Sequence, residues 1–141
     1  MIRSSPTLEL DVATLYAILR LRSEVFVVEQ NCAYLDPDGR DLEPTTTQVW
    51  IDRDGSVVAT LRMMHEVDGS IRVGRVAVAA AERGSGHAAA LMRHAIALAG
   101  DRPIVLDAQS HLADWYQRLG FTVTGADYLE DGISHTPMRR P

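Results

Sequence analysis

The sequence predicts an α/β fold of the α+β kind: a mixed, mostly antiparallel sheet of six to seven strands around one central βαβ unit. Three observations lead there. Apolar runs separated by Asp54-Gly55 and Asp68-Gly69 read as consecutive hairpins. Ile71 to Leu106 reads as strand, glycine-rich turn, helix and strand. The 41 residues after Gly100, in a chain of 141, are too few for a doubly wound series.

Taken in order, Thr7–Leu10 reads as a short first strand. Asp11 is a suitable N-cap for a helix over Val12–Val25, with Leu15, Ile18, Leu19, Arg22 and Phe26 at near-helical spacing. Asn31–Pro44 is rich in Asp, Pro and Gly and reads as a loop. Gln48–Arg53 and Ser56–His65 form a strand pair, and Ile71–Val78 adds a third antiparallel strand. That third strand carries a parity slip: Ile71 and Val73 are apolar at odd positions, Val76 and Val78 at even ones. One extra residue near Gly74-Arg75, a β-bulge, would restore the alternation. A fully buried strand without a face preference accounts for the same letters.

A helix follows from about Gly86 to Ala99, with Ala88, Leu91, Met92, Ala95 and Ala99 on one face and Gly100 as its stop. Ile104–Leu106 is a continuous apolar run, as expected of a buried parallel strand. Leu112–Leu119 reads as a short helix ended by Gly120. Phe121–Thr124 and Ser134–Arg139 read as the last strands.

Composition narrows the function classes. The length suits one domain spanning residues 1–141. Apolar content of 46% with 23% charged residues is that of an ordinary globule. A net charge of −5 argues against a nucleic-acid partner. No apolar run reaches the roughly 18 residues a membrane helix needs. The N-terminus lacks the apolar segment of a secretory signal, and Cys32 is the single cysteine. These features lead us to expect a cytoplasmic protein. No HExxH or CxxC occurs, and His87 and His94 are seven apart, so no catalytic metal is expected. Asp36-x-Asp38 opens like a calcium loop but has Asp41 and Thr47 where Gly and Glu are required.

The turn Arg83-Gly84-Ser85-Gly86-His87-Ala88 opens directly into a helix. Free backbone N–H groups and the helix dipole converge there, which favours a phosphate. Gly84-x-Gly86-x-x-Ala89, with Asp107 eighteen residues on, also satisfies the dinucleotide fingerprint. Against a nicotinamide or flavin ligand, Ala79–Arg83 separates the turn from its strand. A Walker loop is absent, and a glycine turn without a ligand is the plain alternative.

Arg83-x-x-Gly86-x-Ala88 after an apolar strand resembles the coenzyme A motif R/Q-x-x-G-x-G/A of the GCN5-related N-acetyltransferases (GNAT family). Tyr116-Gln117-Arg118-Leu119-Gly120-Phe121 is similar to the family's Y-x-x-L-G-F segment. Leu19–Gln30, Tyr34-Leu35-Asp36, Ala108–Leu112 and Glu130–His135 look like its ElaA-like branch, so the resemblance runs from about Leu8 to Arg139.

The resemblance implies a sheet whose fourth and fifth strands splay into a V, with acetyl-CoA in the opening. By the same resemblance the backbone of Val76, Ala77 and Val78 holds the pantetheine arm and thioester. Arg83, Gly84, Ser85, Gly86, His87 and Ala88 hold the diphosphate, and Gln109 and Tyr116 contact the cofactor. Tyr116 resembles the family tyrosine that protonates the departing sulfur. For the base that neutralises the amine, Glu29 is the first candidate, His111 the second, and His135 with Glu130 the third. Strand four offers only Arg72 and Arg75, so a base there is absent. Asp36, Asp38, Asp41 and Glu43 read as a solvated loop or as an acidic mouth for a protonated amine.

The reaction so implied is acetyl transfer from acetyl-CoA to a primary amine of a small molecule or peptide, directly in a ternary complex. An acyl-cysteine at Cys32 is the less favoured route. A non-catalytic acyl-CoA sensor on the same fold is the alternative function. A homodimer through the C-terminal strands is expected by resemblance alone.

Overall fold

The computed structural model describes residues 1–141. Its centre is a mixed sheet of β1 (Ile2–Pro6), β2 (Thr47–Arg53), β3 (Ser56–His65), β4 (Ile71–Val78), β5 (Ile104–Gln109), β6 (Thr122–Val123), β7 (Tyr128–Glu130) and β8 (Ile133–Arg140). The spatial order is β1-β2-β3-β4-β5-β8-β6, with β7 also paired to β8. Eight strands stand where six to seven were expected. The addition is β7, whose hairpin to β8 turns through Asp131 and Gly132, both at positive φ.

Two more boundaries differ. Thr7–Leu10 is not a strand: β1 lies just before it, and Thr7–Glu9 is a 3₁₀ turn after Pro6. Proline fixes φ but permits an edge strand, which is where β1 sits. The predicted last helix shrinks to α3 (Ala113–Gln117), preceded by a 3₁₀ turn over Ser110–Leu112.

Helix α1 (Val12–Arg22) starts at Asp11, whose carboxylate accepts the Thr14 N–H at 2.7 Å. Instead of ending at Val25 it widens into a π-helical turn over Ser23–Glu29, closed by the Cys32 N–H bonding the Val27 carbonyl. This extra winding shifts the helical phase and carries Phe26, Glu29 and Gln30 to the edge of a cleft. Leu21 and Val25 pack with Ala77 on one face of the sheet. Helix α2 (His87–Ala99) covers the other face, burying Leu91, Met92, Ala95 and Ala99 against Val49, Leu61, Met63 and Val73.

The parity slip in β4 is a bulge. Arg62 pairs with Gly74 and Thr60 with Ala77, so Leu61 alone faces Arg75 and Val76. The bulge swaps faces: Val73 lies in the α2 core, Ala77 lies against α1, and Val76 and Val78 return to the α2 side. Strands β4 and β5 pair in parallel only at Ile71 with Ile104 and Arg72 with Val105. Beyond that they diverge into a V.

Candidate active site

The V opens into a cleft of about 1060 Å³, bounded by β4, β5, the end of α1, the turn before α2, α3 and the β7–β8 hairpin. Its backbone is the first feature of note. The Ala79 N–H donates to the Val58 carbonyl on β3 at 2.8 Å. Polar groups alternate sides along a strand. The Ala77 backbone therefore also faces β3, while the N–H groups of Val76 and Val78 face the open V. In agreement, the Val78 carbonyl accepts the Arg83 Nε–H at 3.2 Å.

At the foot of the V, Gly84 and Gly86 both take φ of +83°. That left-handed geometry disfavours any Cβ and turns successive amides one way. The N–H groups of Gly84, Ser85, Gly86, His87 and Ala88 donate to no protein acceptor. The Ser85 hydroxyl donates to the Glu82 carbonyl at 2.6 Å and is already engaged. His87 Nε2 lies 3.3 Å from Glu82, a carboxylate held below its usual range by His87 and Arg53. This turn fits a diphosphate on its donor set: five free amides at one helix start, with glycines where close approach is needed.

Arg83 is not free. Its guanidinium grips Glu29 through two bonds of 2.6 and 2.7 Å, and this pairing lowers the Glu29 carboxyl below its ordinary range. Glu29, the first candidate base, thus reaches the cleft as the counter-ion of the cradle's own cation. Gln109, at the end of β5, donates to Gln30 Oε1 at 3.3 Å and ties the same helix end to the opposite wall.

Tyr116 on α3 is 6% exposed, edge-on to Trp115 at 4.9 Å and to Phe121 at 6.0 Å. Burial alone pushes its phenol up to about 12, with no hydrogen-bond contribution. It therefore stays protonated near neutral pH and borders the cleft as a donor. His111 is exposed in the 3₁₀ turn after β5. His135 stacks on Tyr128 at 5.8 Å and shares a 2.8 Å contact through Nδ1 with the Ile133 carbonyl. Glu130 lines the same rim.

The acidic loop departs from both sequence expectations. Asp36 and Asp41 are buried, as is Arg22 at 0% exposure. Arg22 bonds Asp36 at 2.8 Å and Asp41 at 2.8 and 3.1 Å. Arg62 bonds Asp38 at 2.8 and 2.6 Å, and Arg75 lies 2.9 Å from Asp36. Burial raises the Asp41 carboxyl, but Arg22 and Arg62 outweigh it and the net shift is downward. Arg62 holds Asp38 well below the carboxylate range. Neither a solvated loop nor an acidic mouth describes this arrangement. The loop is a neutralised ion cluster, with Glu43 bound outside it to Arg40 at 3.0 Å. Sequence reasoning missed Arg22, Arg62 and Arg75; the one available sign was Arg22 on an otherwise apolar helix face.

A splayed β4–β5 pair, a β4 bulge and a run of free amides before α2 together form the frame of an acyltransferase. The acetyltransferase (GNAT) domain model matches residues 27–140, and the chain belongs to the GNAT family, whose acyl donors are acyl-CoA thioesters. It is 45% identical over 137 residues to a UPF0039 protein of Mycobacterium tuberculosis, covering 94% of this chain and 88% of that one. Over 138 residues it is 40% identical to the protein ElaA of Escherichia coli, covering 94% and 90%. The crystal structure of that ElaA superposes with a TM-score of 0.94 over 100% of this chain and 99% of that chain, at 37% identity. An acyl-CoA N-acyltransferase from Pseudomonas aeruginosa superposes with a TM-score of 0.96, at 41% identity and with the same coverage. No helix is long and apolar enough to cross a membrane.

Proposed function

We propose that this acetyltransferase moves an acetyl group from acetyl-CoA to a primary amine of a small molecule or peptide, directly within a ternary complex. One observation carries the reading. Five consecutive N–H groups, from Gly84 to Ala88, lie free below a V into which the Val76 and Val78 amides point.

Acetyl-CoA supplies a thioester carbonyl and a thiol leaving group. Val76 and Val78 offer fixed donors to a carbonyl oxygen, and a preorganised donor stabilises charge as it develops there. Tyr116 keeps its proton and offers it to the departing sulfur. Gly84–Ala88 bind the diphosphate, and Arg83 adds its charge once Glu29 yields. Glu29, so released, is the first choice for taking the amine's proton, with His111 and His135 on the same cleft as the other acceptors. Cys32 favours direct transfer: its thiol donates to the Asp131 carbonyl at 3.3 Å and has no other hydrogen-bond partner.

Thiol release from acetyl-CoA, measured with a panel of small primary amines and lysine-bearing peptides, tests the reading. Amine-dependent release with a matching acetylated product is expected. Tight acetyl-CoA binding without release on any amine would leave a non-catalytic sensor in its place.

A further inference from the structure

Arg75 is the residue that makes the β4 bulge, and it does so at φ of +53°. That left-handed conformation favours glycine. The chain has a glycine one position earlier, at Gly74, where the backbone needs none. A long side chain held in such a conformation has to be fixed by its surroundings.

The surroundings are specific. Arg75 Nη2 donates to the Asp36 carbonyl at 3.0 Å, and Nε lies 2.9 Å from Asp36 Oδ1 as a charge contact without a hydrogen bond. Asp38 Oδ2 is 3.5 Å away, and the guanidinium sits 5.7 Å above the Tyr34 ring. The Tyr34 hydroxyl donates to Asp36 Oδ1 at 2.8 Å. The other Asp36 oxygen is held by fully buried Arg22 at 2.8 Å. Arg75 is thus anchored to the buried ion cluster, and the next residue is Val76, whose N–H enters the V.

We infer that Arg75 is a positioning residue for the acyl carbonyl: its anchorage on Asp36, Asp38 and Tyr34 holds the bulge that aims the Val76 N–H. The inference rests on the acetyl-CoA reading above and adds a coupling. The loop from Tyr34 to Asp38, which lines the cleft away from the diphosphate turn, and the donor at Val76 form one mechanical unit. A change at Asp36 then alters acyl recognition without touching the acyl group.

The test is the ratio of coenzyme A to acetyl-CoA dissociation constants, measured by calorimetry. This ratio isolates contacts to the acetyl group, because the diphosphate and pantetheine are common to both. The wild-type protein is expected to prefer acetyl-CoA about fivefold, the worth of one net hydrogen bond. Arg75→Ala should bring the ratio close to one while coenzyme A affinity stays within about twofold, since the Gly84–Ala88 amides are untouched. Arg75→Gly should recover most of the preference, because glycine adopts the left-handed bulge without an anchor. Arg75→Lys keeps the charge but not the Nη2 contacts to Asp36 and Asp38, and should give an intermediate ratio even if the alanine variant folds poorly. An unmoved ratio in the folded variants, or alanine and glycine variants that behave alike, would overturn the inference alone. A wild-type protein with no affinity for coenzyme A would overturn the underlying reading as well.

Discussion

Residues 84–88 and residues 36–41 contribute to different parts of one cleft wall, the second run through Asp38 and Arg40. The first run leaves its backbone donors without partners. The second holds three carboxylates, all paired, against Arg22, Arg62 and Arg75. Free main-chain donors are ready for an anion and need no rearrangement to receive it. Paired buried charges are poor ligand sites but good struts, because each fixes two elements at once. The glycine turn is therefore expected to respond to an anionic ligand, and the ion cluster to respond to unfolding.

The largest effect should come from breaking the strut. Arg22→Ala removes the fully buried cation that Asp36 and Asp41 share and leaves them only Arg75 and Arg62, and removing one partner of a buried pair costs about 3–5 kcal/mol. The midpoint in a calorimetric melt should fall by roughly 10 °C or more. Gly86→Glu attacks the other run: a side chain at φ of +83° and a negative charge in the cradle. Coenzyme A affinity should drop by at least about 100-fold, with a much smaller change in melting temperature than Arg22→Ala. Wild-type affinity in that variant would remove the anion site from this turn.

Tyr116→Phe separates chemistry from binding. Turnover should fall by roughly 100-fold, the low end of general acid catalysis, while acetyl-CoA affinity stays within about twofold. Acidity sharpens the contrast more gently. Asp38 and Asp41 titrate below their ordinary values in the folded state. Their stabilisation is complete above the unfolded value of about 4 and is lost as pH falls through the lower folded values. Denaturant stability should be flat between about pH 7 and 5 as far as these two groups contribute, and should fall below about pH 4. Asp38→Asn should flatten that acid limb; an unchanged limb would take Asp38 out of the strut.

The smallest effect is expected at the ion pair that ties the glycine turn to the end of the first helix. Glu29 competes for Arg83 through its bidentate pair. Glu29→Gln should tighten coenzyme A binding a few-fold, within the modest range of exposed ion pairs, and lower turnover with amines. Weaker coenzyme A binding would instead mean that Glu29 orients Arg83 for the ligand.

The conformation of the glycine turn was largely legible in the sequence, because its information is local. Two glycines, an apolar strand before them and a helix after them specify the turn, and the parity of Val73 and Val76 specified the bulge as one of two readings. The shortened pairing of β4 with β5 matched what the family resemblance implied. The ion cluster was not legible, because its partners lie far apart in the chain: Arg22 meets Asp36 and Asp41, and Arg62 meets Asp38. Charge counting along a loop reports none of these distances, so the pairing of Arg22, Arg62 and Arg75 with the loop carboxylates went unseen. The π-helical turn was missed for a related reason. A phase slip of one residue after Arg22 leaves the apolar letters nearly helical while re-aiming Glu29. The β7 strand, three exposed residues long, carries no alternation to detect.

The central claim is that the main chain from Gly84 to Ala88 receives the diphosphate of acyl-CoA. Amide ¹H–¹⁵N shifts recorded while titrating the protein with 3′-dephospho-coenzyme A test it most directly. The account predicts large, saturating downfield shifts at Gly84, Ser85, Gly86, His87 and Ala88, with residues 36–41 almost unmoved. Shifts confined to other residues, or saturation with those five amides unchanged, would contradict it.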